Sequence, residues 1–388
     1  MADTVTFLRS EEQTMLASAL RDMLGDMVDM DRIRDASLTT AAIDRDVWKA
    51  IADMGLVGLT MSSAHGGADS PFTDLAVVFE ELGRHVVPVP LLSSVMAAAA
   101  LEKGGTEAQK AEFLPSIASG SSVATVAFFE DAHGSPDHPL TTATEEAGGW
   151  RIAGTKRFVT DAIHADLFVV SADTGDGIGV FVIPAGEGVS VTPIPALDAT
   201  RPLGELALDA IVPPHLRLTG ADGSGIVQRA CDVGVVAIAQ EQVGGAIRCL
   251  EMSVEYAQSR YQFGRAIGSF QAVKHRCADM LVALEHARSV AWHAAATLDD
   301  PDEAAIMVPL AKTVCSDAFL KVAGDTIQIH GGIGFTWEHD AHLYLKRAKA
   351  DSLLLGSVGS HRDRLGDALG ISLGSVRRSS ESTRASAP

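Results

Sequence analysis

At 388 residues, 47% hydrophobic and 21% charged, the chain has material for two or three domains with ordinary cores. A formal net charge of −19 excludes a nucleic-acid binder, which needs a basic face to displace counterions, and requires any site for an anionic ligand to be locally basic. No apolar run approaches the roughly 18 residues that cross a bilayer, and the start Met1-Ala2-Asp3-Thr4 lacks the basic and apolar stretch of a signal peptide, so a cytoplasmic protein without membrane attachment is expected.

The first third reads as helices. Glu11–Met27 repeats apolar positions at three-to-four spacing, and Ile43–Met54 does the same behind Thr39 and Thr40 as a cap. The turn His65-Gly66-Gly67 interrupts, and Phe72–Leu82, Pro90–Leu101 and the short Gln109–Leu114 resume the helical period. From Ser122 to about Leu218 the pattern changes. Val123–Phe129, Trp150–Ala153, Arg157–Thr160, Leu167–Ala172, Gly179–Ile183 and Val189–Pro193 are short β-branched or aromatic runs separated by turn residues, which predicts a small barrel or sandwich. After Gly225 the helical period returns in Ile226–Ser259, Gln271–Leu298, Asp302–His330 (Pro309 near its start) and His339–Leu355. The Ser- and Arg-rich tail from Gly370 is predicted to be disordered. The resulting class is α+β, with a helical domain over 1–119, a β domain over 120–222, a helical domain over 223–369 and a tail over 370–388; no internal repeat is visible.

Two stretches carry candidate chemistry. Arg260-Tyr261-Gln262-Phe263-Gly264, followed by Ile267-Gly268-Ser269-Phe270-Gln271, joins two helices. An arginine fork holds a pyrophosphate bidentately, an aromatic packs on an adenine, and glycine lets a backbone approach; the same residues also suit an ordinary polar helix connection. Gln328-Ile329-His330-Gly331-Gly332-Ile333-Gly334-Phe335 ends a helix in a Gly-Gly turn, which alone is routine capping and falls short of a dinucleotide fingerprint. The four cysteines Cys231, Cys249, Cys277 and Cys315 form no CxxC or zinc spacing and read as small hydrophobes. His275, His286, His293 and His330 have no second ligand at a metal spacing, and Arg377, Arg378 and Arg384 read as a solvated tail.

Together the two stretches identify a resemblance. Arg-x-x-Phe-Gly, the Phe-Gln after it, and Gln-x-x-Gly-Gly-x-Gly before Lys346-Arg347-Ala348-Lys349 resemble the C-terminal domain of the acyl-CoA dehydrogenases. Trp48–Leu59, His65–Gly67 and Glu80-Glu81-Leu82-Gly83 resemble their N-terminal domain, and Gly154-Thr155-Lys156-Arg157-Phe158-Val159-Thr160 their middle domain. The resemblance spans about residues 8 to 368. It implies an N-terminal helical domain, a middle small β-barrel or sandwich, a C-terminal four-helix bundle, and FAD at a subunit interface. It implies further that Arg260, Phe263, Gln271, Gln328, Gly331 and Gly332 clamp the FAD of a neighbouring subunit, while Phe158 and Thr160 flank the ring of the subunit's own FAD.

The family reaction removes an α-proton with a carboxylate as hydride leaves the β-carbon, and the weakly acidic thioester requires a base. The usual base position holds Leu355, and the alternative position on the preceding long helix holds Gly234, with Asp232 two residues off and Glu241 further along. The family's Thr-Glu-Pro-Gly-x-Gly-Ser-Asp loop appears as Phe129-Glu130-Asp131-Ala132-His133-Gly134-Ser135. These changes predict helices closed over Leu355. No catalytic residue is assigned. The half-site lent to a neighbour is intact and the chain's own is altered, as in hetero-oligomeric acyl-CoA dehydrogenases of actinobacterial type, α2β2 assemblies of paralogues that act on steroid-derived or other bulky CoA thioesters. The partners implied are the acyl-CoA substrate, a Glu-bearing paralogue (or a second copy of the chain) and an electron-transfer flavoprotein-like acceptor; no metal is implied. A non-catalytic FAD-clamping subunit and a flavin oxidase or monooxygenase on the same fold remain alternatives.

Overall fold

The computed structural model describes residues 9–38, 43–131 and 136–371. Helix α1 (Glu11–Met27) starts at Ser10, whose side chain accepts from the Gln13 N–H while the Gln13 side chain accepts from the Ser10 N–H, two orphan donors satisfied reciprocally. α2 (Met30–Ala36) and α3 (Arg45–Asp53) follow. The cap of α3 is Asp44, which accepts from Asp46 and Val47; the expected caps Thr39 and Thr40 lie outside the described residues. α4 (Phe72–His85), α5 (Leu91–Gly104) and α6 (Glu107–Ala118) complete this part. α5 is buried nearly all round, as its run Ala97–Ala100 and flanking Leu and Met demand.

Among the described residues eight strands form the middle part: β1 (Ala124–Ala127), β2 (Thr142–Glu146), β3 (Gly149–Thr160), β4 (Leu167–Asp173), β5 (Ile178–Pro184), β6 (Val189–Ile194), β7 (Leu203–Val212) and β8 (Arg217–Leu218). Their order is β6-β7-β3-β2-β4-β5-β8, with β1 parallel to β4. A single pair, Thr142 with Asp173, joins β2 to β4, so the sheet turns a corner there. Its halves meet face to face where the Trp150 and Phe181 rings approach to 5.8 Å between centroids, the sandwich-like option of the sequence expectation. Two expected runs, Trp150–Ala153 and Arg157–Thr160, belong to one strand, β3, bulged between Lys156 and Val159. Three strands, β2, β7 and the two-residue β8, were not anticipated. β2 is polar and largely exposed; β7 buries Leu206, Leu208, Ala210 and Val212 in period two, but its Leu, Ala and Glu favour helix.

The last part is helical: α7 (Gly223–Ser259), the hairpin β9 (Tyr261–Gln262) and β10 (Arg265–Ala266), α8 (Gln271–Ala296), α9 (Pro301–His330), α10 (Ala341–Asp351) and α11 (Val358–Ala368). α7, α8 and α9 pack on one another, and α10 and α11 share the fourth place in the bundle against α9. The helix expected over His339–Leu355 stops at Asp351 because Leu355 (φ 59°) and Gly356 (φ 102°) leave helical space. α7 also crosses α4 at backbone contact. A Cβ at Gly83 would sit 2.0 Å from the Glu241 carbonyl oxygen, and one at Gly244 would sit 1.9 Å from that of Glu80, so glycine is required at both. Among the described residues no helix is long and apolar enough to cross a membrane. The four cysteines are free and three are buried. The tail arginines and residues 372–388 lie outside the described residues.

Candidate functional site

A cavity of about 900 Å³ opens between α5, the end of β3, the first turns of α7 and the α10–α11 corner, near the upper end of the range for small-molecule sites. Phe158 and Thr160 line it. The bulge in β3 is what aims Phe158. With φ 55° it holds a left-handed conformation that a bulky residue rarely adopts, and a bulge beside a site commonly redirects a side chain in this way. The bulge is braced from behind. Buried Lys156 reaches Glu130 at 2.7 Å, Glu130 also accepts from the Thr141 N–H and hydroxyl at 2.7 Å each, and the Arg157 N–H donates to the Phe129 carbonyl at 2.8 Å. Burial pushes Glu130 upward, but Lys156, Thr141 and two backbone amides outweigh it and hold the carboxyl below its usual range; burial pulls Lys156 down. The side chain of Phe129 therefore sits in a fixed wall of the cavity. Its following loop residues Ala132–Ser135 lie outside the described residues.

The expectation of closure over Leu355 is wrong. Leu353, Leu354 and Leu355 line an open cavity, because the α10–α11 break carries the chain away from it. Carbonyl contacts fix that break: Lys312 Nζ donates to the carbonyls of Asp351 and Leu354, and His361 Nε2 lies 2.9 Å from that of Leu355. Burial depresses both donors, His361 to about 4, so His361 is neutral and its Nε2–H is the donor. Gly234 faces Leu355 across a narrow gap, where an added Cβ would lie 2.6 Å from Leu355 Cδ1 and 2.6 Å from Met96 Sδ. The two positions expected for a catalytic base thus adjoin in space, and apolar atoms surround both.

The neighbouring carboxylates are engaged. Asp232 Oδ1 accepts from Gln228 Nε2 and Arg364 Nη1 at 2.8 Å each. Glu241 is buried between Arg201 and Arg347, and Arg347 also holds Asp198 and the Thr200 hydroxyl. Neither is placed as a proton acceptor in the cavity. This network joins α7, α10 and the segment before β7, and so fixes the cavity floor.

The other predicted residues gather elsewhere. Phe263 (φ 55°) and Gly264 (φ 77°) make the β9–β10 turn, both left-handed as a tight hairpin requires, and Phe263 is 90% exposed. Arg260 precedes the hairpin, Gln271 opens α8 without a side-chain cap, and Gln328 ends α9 on its exposed side. Tyr256 stacks on His330 with centroids 4.4 Å apart, which brings Arg260–Gln271 beside Gly331 and Gly332. Gly332 has a negative φ and nothing within 4 Å of an added Cβ, so its smallness serves no contact inside the chain. None of these six residues lines the cavity. The chain presents two separate candidate surfaces: a cavity with a largely apolar inner wall that Phe158 and Thr160 help line, and an exposed surface with an arginine, an aromatic, two amides and two bare glycines. That donor set fits FAD, whose pyrophosphate suits an arginine fork and uncapped helix N–H groups. Sequence reasoning missed Leu92 and Met96 of α5 and Ser360 and Arg364 of α11 as cavity residues; a separate α11 was the signal that would have found the latter.

Family models of the acyl-CoA dehydrogenase N-terminal, middle and C-terminal domains match residues 10–121, 125–211 and 221–370. The chain is 32% identical over 357 residues to acyl-CoA dehydrogenase IpdE2 of Mycolicibacterium smegmatis, covering 92% of this chain and 98% of that one. Among solved structures it resembles a variant of the Tcur3481–Tcur3483 steroid ACAD (TM-score 0.84, 34% identity, 93% and 98% covered). It also resembles the ChsE4–ChsE5 complex from Mycobacterium tuberculosis (TM-score 0.86, 29% identity, 94% and 99% covered). The chain therefore belongs to the acyl-CoA dehydrogenase family of FAD-dependent flavoprotein oxidoreductases.

Proposed function

We propose that this chain is one of two paralogous subunits of an acyl-CoA dehydrogenase for bulky, steroid-type CoA thioesters, and that the other subunit carries the catalytic glutamate. The observation that supports the reading is that Leu355 lines an open cavity and packs against Gly234 behind it: a pocket is present, and neither position offers a proton acceptor. Two resembling structures are named as pairs of gene products, one of them a steroid dehydrogenase. FAD, when bound, accepts the hydride that leaves the β-carbon. Arg260 supplies a charge-assisted fork for the pyrophosphate of a neighbour's FAD, with Phe263, Gln271, Gln328 and the bare backbone of Gly331 and Gly332 around it. Phe158 and Thr160 flank the flavin ring on the chain's own side, and the apolar walls exclude water, which strengthens every polar contact inside. Leu355 takes no proton, so the α-proton must leave to a carboxylate on another chain. An electron-transfer flavoprotein-like protein then reoxidises the assembly.

The test is to purify the chain alone and with its paralogue and to follow flavin absorbance on adding an acyl-CoA. A positioned base is worth about 10²–10⁴ in rate, so the single chain should bleach its flavin at least about a hundredfold more slowly than the pair. Equal rates would overturn the reading.

A further inference from the structure

The cavity is not uniformly apolar. Its inner wall is built from Leu92, Met96, Val235 and Leu355, whereas its mouth, between the first turns of α7 and α11, is polar. Ser360, Arg364 and Asp367 recur at helical spacing on the face of α11 that borders it, and Gln228 lies opposite on α7. Arg364 is 30% exposed there and its partner Asp232 13%. The guanidinium gives one N–H to Asp232 Oδ1 at 2.8 Å, and among the described residues it has no second partner. A guanidinium carries five N–H donors, so most remain available at the mouth. Gln228 Nε2 donates to the same Asp232 oxygen at 2.8 Å, which holds the carboxylate and, through it, the arginine. Asp232 cancels the positive charge of Arg364, and Asp363 and Asp367 are its neighbours on α11, while Lys349, Arg157 and Arg201 lie elsewhere on the lining. At Arg364 itself an anion meets no net positive charge, and a neutral oxygen acceptor is favoured.

We propose that Arg364, pinned by Asp232, is a specificity-determining residue that donates to a neutral carbonyl oxygen of the cavity's ligand, remote from the thioester. The inference rests on the reading of this cavity as a thioester pocket. A ring ketone of a polycyclic acyl group and an amide carbonyl of the pantetheine arm both offer this chemistry.

The experiment is calorimetric titration of the flavin-bearing assembly with a polycyclic keto-acyl-CoA, its deoxo counterpart, and the free keto acid. Arg364→Met keeps the length and removes every donor, and should weaken the keto-acyl-CoA about tenfold. A loss confined to the keto ligands supports the ring ketone as the source; an equal loss for both CoA thioesters, with the free acid unmoved, supports the arm amide. Asp232→Asn, which keeps every donor of Arg364 but releases it from its pin, should weaken the keto-acyl-CoA several-fold, a ligand-specific loss that a purely structural pair would not produce. Wild-type affinities in both variants would sink the inference alone. A wild-type assembly that binds no acyl-CoA would sink the thioester reading, and this inference with it.

Discussion

Arg260 is exposed and pairs with no carboxylate among the described residues, although the chain has 50 acidic side chains against 31 basic ones. A cation left free in so acidic a chain is available to an anion from outside. Arg260→Ala should weaken FAD retention by about ten- to a hundredfold, the worth of a charge-assisted contact of roughly 1.5–3 kcal/mol; flavin content unchanged after dialysis would remove Arg260 from the cofactor site. Leu355 poses the opposite question. It is only half-buried, at an open wall, so Leu355→Glu should keep the fold and shift the melting temperature by roughly 2–4 °C at most. Met96 and Leu353 beside it leave the new carboxyl poorly solvated and raise its pKa. A carboxyl raised in the folded state contributes most below its unfolded pKa, and that contribution is lost as pH rises through the folded one. The variant should therefore lose stability relative to wild type between pH 5 and 8, while gaining a slow acyl-CoA-dependent bleaching of flavin. A melt that collapses at both pH values would mean that the pocket is closed after all.

Where β3 ends, Asp161 adopts φ 55° and is buried against α5, accepting from the Ser93 hydroxyl at 2.7 Å. Burial pushes its carboxyl up to about 6, with Ser93, Arg201 and Arg347 opposing. The folded pKa lies above the unfolded one, so the ionised group destabilises the β3–α5 junction once pH exceeds about 6. Asp161→Asn keeps the acceptor for Ser93 and removes the charge. It should stabilise the protein by roughly 2 kcal/mol at pH 7.5, with the gain fading as pH falls below about 6; melts across pH 5–8 read this directly. A gain independent of pH would show that Asp161 is not the titrating group. The α10–α11 break has the same character. Gly356 and the α11 cap Ser357 are the local signals that separate these helices, and the carbonyl contacts from Lys312 and His361 come from 39 residues before Asp351 and six after Leu355.

At the scale of the whole molecule, the proposed clamp residues and the cavity lie apart on one chain, and none of the former lines the latter; on the proposed reading the two would be completed by a second chain, which is why the paralogue experiment, and not a mutation, tests the proposed function. The helical, β, helical order was legible in the sequence because periods of 3.6 and 2 are local properties. The residues proposed for the flavin half-sites, Arg260, Phe263, Gln271, Phe158 and Thr160, could be nominated from the sequence because they stand in motifs of fixed spacing. The polar strand β2 and the helix-favouring β7 were not legible, since only their partners across the sheet make them strands. The sequence by itself determined that Leu355 and Gly234, the positions expected for the family's base, are not carboxylates. Only the tertiary structure decided that Gly234 and Leu355 meet, that the pocket behind them is open, and that Asp232 and Glu241 are engaged by Arg364, Arg201 and Arg347. Those outcomes depend on contacts between residues more than 30 apart in the chain, which no local pattern encodes.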